Sequence, residues 1–219
     1  AISSGNIVLA SATTINNGAG ALSLNGTLSG AFDLTLAGDT GGTTTLGGII
    51  SGLTSLTSTA DSTVINTSAI TTVNNQLFNN AVTLAAASEL TSSAGNINLA
   101  STVNGNYALT LSGNGTTTLG GAVGGTTALD SLTSSGATTI SGGSVKTVGS
   151  QTYGNVVTLG AASTTLETTN AGTIALNGGV SGSGKNLTLT GGSGSNGFTL
   201  QDALTLNNLT INGGAGTNT

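Results

Sequence analysis

AGNINLASTVNGNYALTLSG, residues 94–113, contains the pattern on which the fold of this 219-residue chain depends. Apolar and polar residues alternate in Ile97-Asn-Leu and again in Leu109-Thr-Leu. Such alternation indicates strands with one apolar face and one face of hydroxyl and amide groups. Gly, Asn and Ser separate the two stretches and favour turns. No window keeps a 3.6-residue period, so the sequence predicts an all-β protein.

The same pattern returns at long range. AGALSLNG begins at Ala19, AGNINLAS at Ala94 and AGTIALNG at Ala171, so the spacings are 75 and 77 residues. A Leu-Thr-Leu triplet follows each opening, at residues 34–36, 109–111 and 187–189. We therefore divide the chain 1–219, as one continuous structure, into a lead-in (1–18), two full units (19–93 and 94–170) and a shorter third unit (171–219).

Short strands at this spacing fit two architectures. Apolar anchors recur about every 8 to 13 residues, as in tandem Ig-like β-sandwiches or in a β-solenoid. The chain has no Pro and almost no large aromatic residues, and a solenoid, whose coils hydrogen-bond to one another, accommodates neither easily. We predict a right-handed parallel β-helix of roughly 8 to 11 coils, with ~19 to 28 residues per coil; tandem sandwiches are the alternative. The leucines of the triplets should point inward and their threonines outward.

Charge is scarce. Only 4% of the residues are charged, Lys146 and Lys185 are the only cations, and the net charge is −5. Nucleic-acid binding and adhesion to anionic membranes both need clustered basic residues, and no stretch is apolar enough for membrane insertion as a helix. We therefore expect neither nucleic acid nor membrane as a partner.

Residues suited to catalysis or metal binding are few. The chain has no His or Cys, which removes the usual triads and zinc ligands. The acidic residues are dispersed, and GGSGSNGFTL from Gly191 has Asn196 where a calcium-binding turn would need Asp. We expect no enzyme activity, no cofactor and no metal. An ice-binding face needs two outward threonines in many successive coils, and the triplets provide one.

Five aromatic residues occur, namely Phe32, Phe78, Tyr107, Tyr153 and Phe198. VNNQLFNNAVTL from Val73 and VGSQTYGNVVTL from Val148 place Phe78 and Tyr153 at the same point of two units. Phe32 and Tyr107 each precede a Leu-Thr-Leu triplet. We interpret the aromatic residues as packing landmarks that plug one fixed coil of each unit. A stacking platform for sugars is the alternative.

With QTYGNVVTL from Gln151, the Leu-Thr-Leu triplets, TTTLGG at Thr43 and Thr116, and the Ala-Gly openings, the chain resembles the repeat regions of giant bacterial secreted proteins. These are proteins of the filamentous-haemagglutinin and autotransporter-adhesin type. The resemblance implies an extracellular or cell-surface β-helical segment that serves as stalk, fibre or surface-layer material. Its alternative is an adhesin that binds glycans or partner-cell surfaces.

Association is the last expectation from sequence. A solenoid end presents unpaired strand edges above an apolar interior, and natural solenoids cover it with polar capping repeats. Neither AISSGNIVLA at Ala1 nor NNLTINGGAGTNT at Asn207 resembles a cap. We therefore expect the chain to meet a second copy, or the remainder of a larger parent chain, end to end.

Overall fold

A computed structural model describes residues 2–216 as a β-solenoid without helices. The strands in chain order are β1 (Ile2–Ser4), β2 (Ile7–Val8), β3 (Thr13–Asn16), β4 (Ala21–Leu24), β5 (Leu28–Ser29), β6 (Asp33–Ala37), β7 (Thr43–Leu46), β8 (Ile50–Leu53), β9 (Ser55–Ser58), β10 (Ser62–Ile65), β11 (Ala69–Thr72), β12 (Gln76–Phe78), β13 (Ala81–Leu84), β14 (Ser88–Ser92), β15 (Ile97–Leu99), β16 (Val103–Asn104), β17 (Leu109–Gly113), β18 (Thr117–Leu119), β19 (Leu132–Ser134), β20 (Thr138–Ile140), β21 (Ser144–Thr147), β22 (Gln151–Tyr153), β23 (Val157–Leu159), β24 (Ser163–Thr168), β25 (Gly172–Leu176), β26 (Val180–Thr190), β27 (Asn196–Leu200) and β28 (Leu204–Asn212).

Three parallel ladders of strands form the faces of the solenoid. The first face consists of β1, β4, β7, β10, β13, β16, β21, β24 and the second halves of β26 and β28. The second face consists of β2, β5, β8, β11, β14, β17, β19, β22, β25 and β27. The third face consists of β3, β6, β9, β12, β15, β18, β20, β23 and the first parts of β26 and β28. On the first face, Val123 takes the place of a strand, because it bridges Val103 and Val145.

About ten coils result, which confirms the predicted solenoid. Partners in neighbouring coils lie 19 residues apart where Thr43 pairs Ser62 and 23 apart where Leu166 pairs Leu189. Parallel coils stack about 4.8 Å apart, so every inner residue lies directly above its counterpart in the coil before.

The core is a column of branched aliphatic side chains. Leu36, Leu111 and Leu189, the last leucines of the three triplets, are fully buried. The threonines between the leucines, Thr35, Thr110 and Thr188, alternate with buried neighbours and are only half-buried. The predicted orientation of the triplets is therefore confirmed. The hydroxylated face is not always outward, however, because Thr44, Thr117 and Thr138 lie inside the core.

The sequence repeat is not a whole number of coils. Ala19 precedes β4 on the first face, Ala94 precedes β15 on the third, and Ala171 precedes β25 on the second. Each step covers eleven strand positions, with Val123 counted as one of them. Eleven positions on three faces are three and two-thirds coils, so each unit is rotated by one face relative to the unit before. We call this the eleven-strand step.

Candidate functional site

The matching aromatic residues Phe78 and Tyr153 are both fully buried. Phe78 is the last residue of β12 on the third face, and Tyr153 is the last residue of β22 on the second face. The idea of one fixed coil per unit therefore needs a correction, because the eleven-strand step moves the equivalent position to another face. Their burial leaves neither ring on the surface as a platform for sugars.

The other three aromatic residues lie nearer the surface. Phe32 and Tyr107 are 38% and 42% exposed, and Phe198 is partly buried against the end of the core. Phe32 lies before β6 on the third face and Tyr107 before β17 on the second. They therefore do not form a common aromatic cluster, and each lies next to a corner of its coil.

Two buried glutamines connect the strands at equivalent corners. Gln76 Nε2 donates to the carbonyls of Ile70 and Thr91, at 3.1 and 2.9 Å. Gln151 Nε2 donates to the carbonyls of Val145 and Glu167, at 3.2 and 2.8 Å. The glutamine is common to both matching segments, but no role was predicted for it. A polar residue repeated before a buried aromatic residue was the signal that could have identified it.

The hydroxyl group of Tyr153 distinguishes the two corners. It donates to Gln151 Oε1 at 3.1 Å, whereas Gln76 Oε1, beside Phe78, is buried without a hydrogen-bond partner. Burial also raises the pKa of the Tyr153 phenol well above its ordinary value. The aromatic and glutamine pair thus forms part of the hydrogen bonding inside the coil.

Several acidic side chains hold neighbouring coils together. Glu167 pairs with Lys146 at 3.0 Å, Asp33 accepts from Ser55 Oγ at 2.6 Å, and Asp61 accepts from the Gly41 amide at 3.0 Å. Glu89 accepts from Thr91 and Ser112. Within residues 2–216, no three His, Cys, Asp or Glu side chains gather where they could hold a metal ion.

Asn196 lies in the glycine-rich segment that was compared with a calcium-binding turn. Its side chain is buried and organises a turn. Its Nδ2 donates to the carbonyls of Gly192 and Gly194, and its Oδ1 accepts from Thr168 Oγ1 at 2.9 Å. These bonds use the amide group that a calcium-binding turn would replace with a carboxylate.

A groove of about 330 Å³ lies on the third face. We call it the third-face groove; it is lined by Ser55, Thr57, Asn75, Gln76, Leu77, Asn96, Asn98, Thr116 and Thr118. These residues lie in or next to β9, β12, β15 and β18, which are four successive strands of the ladder. No residue in the lining carries a charge.

The groove interrupts a ladder of outward threonines. One residue at the same register position in each of ten coils forms the row Thr14, Thr35, Thr57, Leu77, Asn98, Thr118, Thr139, Thr158, Ser181 and Thr205. Leu77 and Asn98 are the two members that lack a hydroxyl group, and they occupy the middle of the groove. The row has at most one threonine per coil and lacks the regular second row that an ice-binding face needs.

The asparagines of the groove have their oxygens turned towards the protein. Asn75 Oδ1 accepts from the backbone N–H of Asn96 at 2.9 Å, and Asn96 Oδ1 accepts from the backbone N–H of Thr116 at 2.8 Å. Asn98 Oδ1 is buried and has no hydrogen-bond partner. Within residues 2–216, none of the three Nδ2 groups donates a hydrogen bond to the protein, and all three residues line the groove.

Comparison with known proteins gave no match among family models, curated proteins or solved structures. In the part of the chain that the structure describes, no helix is long and apolar enough to cross a membrane. The geometry of the solenoid itself is therefore the evidence for a function.

Proposed function

We propose that this chain is a non-catalytic structural segment of a large secreted bacterial protein, serving outside the cell or at its surface as stalk, fibre or surface-layer material. In this proposal its β-stack is continued end to end by further coils, either of a second copy or of the same parent polypeptide. The resemblance of the repeat to giant secreted proteins supports the proposed location outside the cell or at its surface.

Leucines of β27 and β28 that pack against the core but are only partly buried carry the proposal. Leu200, Leu204 and Leu209 are only partly buried. Their partners one coil earlier, Leu176, Val180 and Leu187, are buried to 2% exposure or less. Ile211, above fully buried Leu189, is 47% exposed. A further coil would cover this surface and pair the strand edges. Both changes are favourable, because apolar area is removed from water and unpaired backbone N–H and C=O groups gain hydrogen bonds.

The side-chain chemistry of the solenoid supports a structural role. Gln76, Gln151 and Asn196 bond to backbone carbonyls inside the coil, and Glu167 and Asp33 link one coil to the next. These polar side chains are thus engaged in holding strands and coils together.

Lysines placed on the open end test the proposal. The double variant Leu204→Lys, Leu209→Lys puts two charges on the inward side of β28, where a stacking coil would desolvate them. The control Thr205→Lys, Thr210→Lys adds the same charge on the outward side of the same strand. We expect the natural chain and the control to elongate with concentration in light scattering and electron microscopy, and the inward variant to stay monomeric.

Two results would overturn continuation of the β-stack by a second copy and leave only its continuation within a parent polypeptide. One is a natural chain that stays monomeric over a wide range of concentration and salt. The other is an inward lysine variant that elongates as the natural chain does. Far-UV circular dichroism on each variant shows whether the remaining coils keep their β structure.

A further inference from the structure

We propose that the third-face groove binds a neutral oligosaccharide that carries N-acetyl groups, such as a β-1,4-linked N-acetylglucosamine chain. This binding is additional to the structural role proposed above and does not depend on it. The proposal rests on the donors, the apolar centre and the charge of the groove.

The donors come from three asparagines in two adjacent coils. Because the oxygens of Asn75 and Asn96 already accept backbone N–H groups and Asn98 Oδ1 is buried, the groups available to a ligand are the Nδ2 amides. Backbone hydrogen bonds hold two of these side chains in place, so little conformational entropy is lost when they donate to a ligand. Such an array requires a ligand rich in acceptor oxygens.

The apolar centre narrows the choice of acceptor. Leu77 lies between Thr57 and Asn98 in the outward row, where seven of the other coils carry threonine. Its side chain is only half-buried. An acetamido group matches this combination, because its carbonyl accepts from an asparagine amide while its methyl group packs on an apolar side chain. A hexose without that group has hydroxyls for the amides but no methyl group for Leu77.

The electrostatic setting favours a neutral ligand over an anion. Amide donors could also hold a phosphate or carboxylate, but no cation lines the groove. Asp33, which accepts from Ser55 at the edge of the groove, places a negative charge within one coil of it, and the net charge of the chain is −5. These negative charges would repel an anionic ligand, and no cation in the groove would offset the repulsion.

A substitution at Asn98 separates an effect on ligand binding from an effect on stability. Its buried, unpartnered Oδ1 is unfavourable for the free protein. Asn98→Thr puts into this position the residue found at Thr118 in the next coil. We expect this variant to be at least as stable as the natural chain and to bind the ligand at least about tenfold more weakly, which is the effect of losing one good hydrogen bond.

Titration of the 219-residue chain with two hexasaccharides tests the proposal. Chitohexaose and cellohexaose share their linkage and differ in the acetamido group. We expect chitohexaose to bind at least about tenfold more tightly by isothermal titration calorimetry and to shift the side-chain amide signals of Asn75, Asn96 and Asn98 in ¹⁵N NMR spectra. Leu77→Thr should reduce the affinity for chitohexaose to that for cellohexaose. Thr139→Ala, in the same row but outside the groove, should leave both affinities unchanged.

Each contrary outcome overturns a defined part of the inference. Equal affinity for the two sugars overturns the acetamido assignment. No response to either sugar at a large molar excess, or chitohexaose binding that survives both Leu77→Thr and Asn98→Thr, overturns the site. Because none of these measurements depends on elongation, failure here leaves the structural proposal intact, and failure of the elongation test leaves this site intact.

Discussion

Phe78 and Tyr153 differ by one hydroxyl group and are equivalent in the repeat, so they provide a matched pair of interior corners. With tyrosine, the corner glutamine has a donor for Oε1, as well as acceptors for Nε2. With phenylalanine, Gln76 Oε1 stays buried and unpartnered. A buried acceptor without a partner costs about 1–3 kcal/mol. The same scaffold therefore contains both a satisfied and an unsatisfied version of one interaction.

Exchanging the two aromatic residues should change stability in opposite directions. Tyr153→Phe should lower the free energy of unfolding by about 1–2 kcal/mol, because it leaves Gln151 Oε1 without its donor. Phe78→Tyr should raise it by about 1 kcal/mol, because the new hydroxyl group can donate to Gln76 Oε1. Urea denaturation followed by circular dichroism measures both. A loss of stability in Phe78→Tyr as large as that in Tyr153→Phe would contradict the equivalence of the two corners.

Alkaline pH should reveal the buried phenol of Tyr153. Burial raises its pKa above the ordinary value of about 10, so the folded state holds the proton more tightly than the unfolded state. Its contribution is fully present below about pH 10 and is lost as the pH rises further, at up to about 1.4 kcal/mol per pH unit. Tyr153→Phe lacks this loss. Every other titrating group is common to both proteins, so parallel stability curves above pH 10 would refute the assignment.

Among the elements, the turn before the Leu-Thr-Leu strand is tightly constrained in the first two units. Gly30 and Gly105 occupy equivalent positions with φ of 126° and 129°. A Cβ on Gly105 would lie 2.3 Å from the carbonyl oxygen of Leu84, and a Cβ on Gly30 would lie 2.5 Å from that of Leu9. In the third unit the chain instead crosses the corner within β26, at Gly184, where a Cβ would meet open space.

Gly105→Ala should therefore cost much more stability than Gly184→Ala. Both have positive φ, which costs an L-residue about 1–2 kcal/mol. Only Gly105 adds a backbone collision, so we expect a loss of at least about 3 kcal/mol there against about 1 kcal/mol at Gly184. Chemical denaturation compares the two variants directly. Equal losses would mean that the coil at Gly105 relaxes without cost.

The sequence could predict the direction of side chains in a strand but not the face on which the strand lies. Alternation is a local property, so Leu111 and Thr110 were correctly placed inward and outward. The face depends on the summed lengths of all preceding coils, and partners in neighbouring coils lie between 19 and 24 residues apart.

Even less of the candidate site than of the fold could be predicted from the sequence. Its residues Leu77 and Asn98 are 21 positions apart in the chain and become neighbours only through the register of β12 with β15. The inward threonine Thr44 is a related case. A hydroxyl group by itself favours the surface, but the position of Thr44 in β7, between the half-buried Thr43 and Thr45, puts it in the core.

At the scale of the whole molecule, the eleven-strand step makes the three faces interchangeable. Leu36, Leu111 and Leu189 fill equivalent inner positions on the third, second and first faces. The Ser58–Thr63 and Ser134–Thr138 hydroxyl pairs, each 2.8 Å apart, likewise stand inside different corners. A repeat of this kind specifies neighbours along the chain and in the adjacent coil, and any face that provides those neighbours can accept it.

This interchangeability predicts the outcome of a deletion within a strand. Removing residues 23–97 joins Leu22 to Asn98 and Leu99, which keeps the order inward, outward, inward and lets the second unit continue on the first face. We expect a folded β-solenoid that is shorter by three and two-thirds coils, about 18 Å at the coil spacing. Small-angle scattering gives the length and circular dichroism the β content.

Removing residues 23–96 is the matched control, because it retains one more residue, Ile97. The strand then reads Leu22, Ile97, Asn98, Leu99, so Ile97 and Leu99 point outward and Asn98 enters the core. Burying the amide and exposing two aliphatic side chains should cost at least about 3 kcal/mol relative to the deletion of 23–97. Equal stability of the two deletions would show that the register of the strand does not determine which side chains the core accepts. The interchangeability of the three faces would then be refuted.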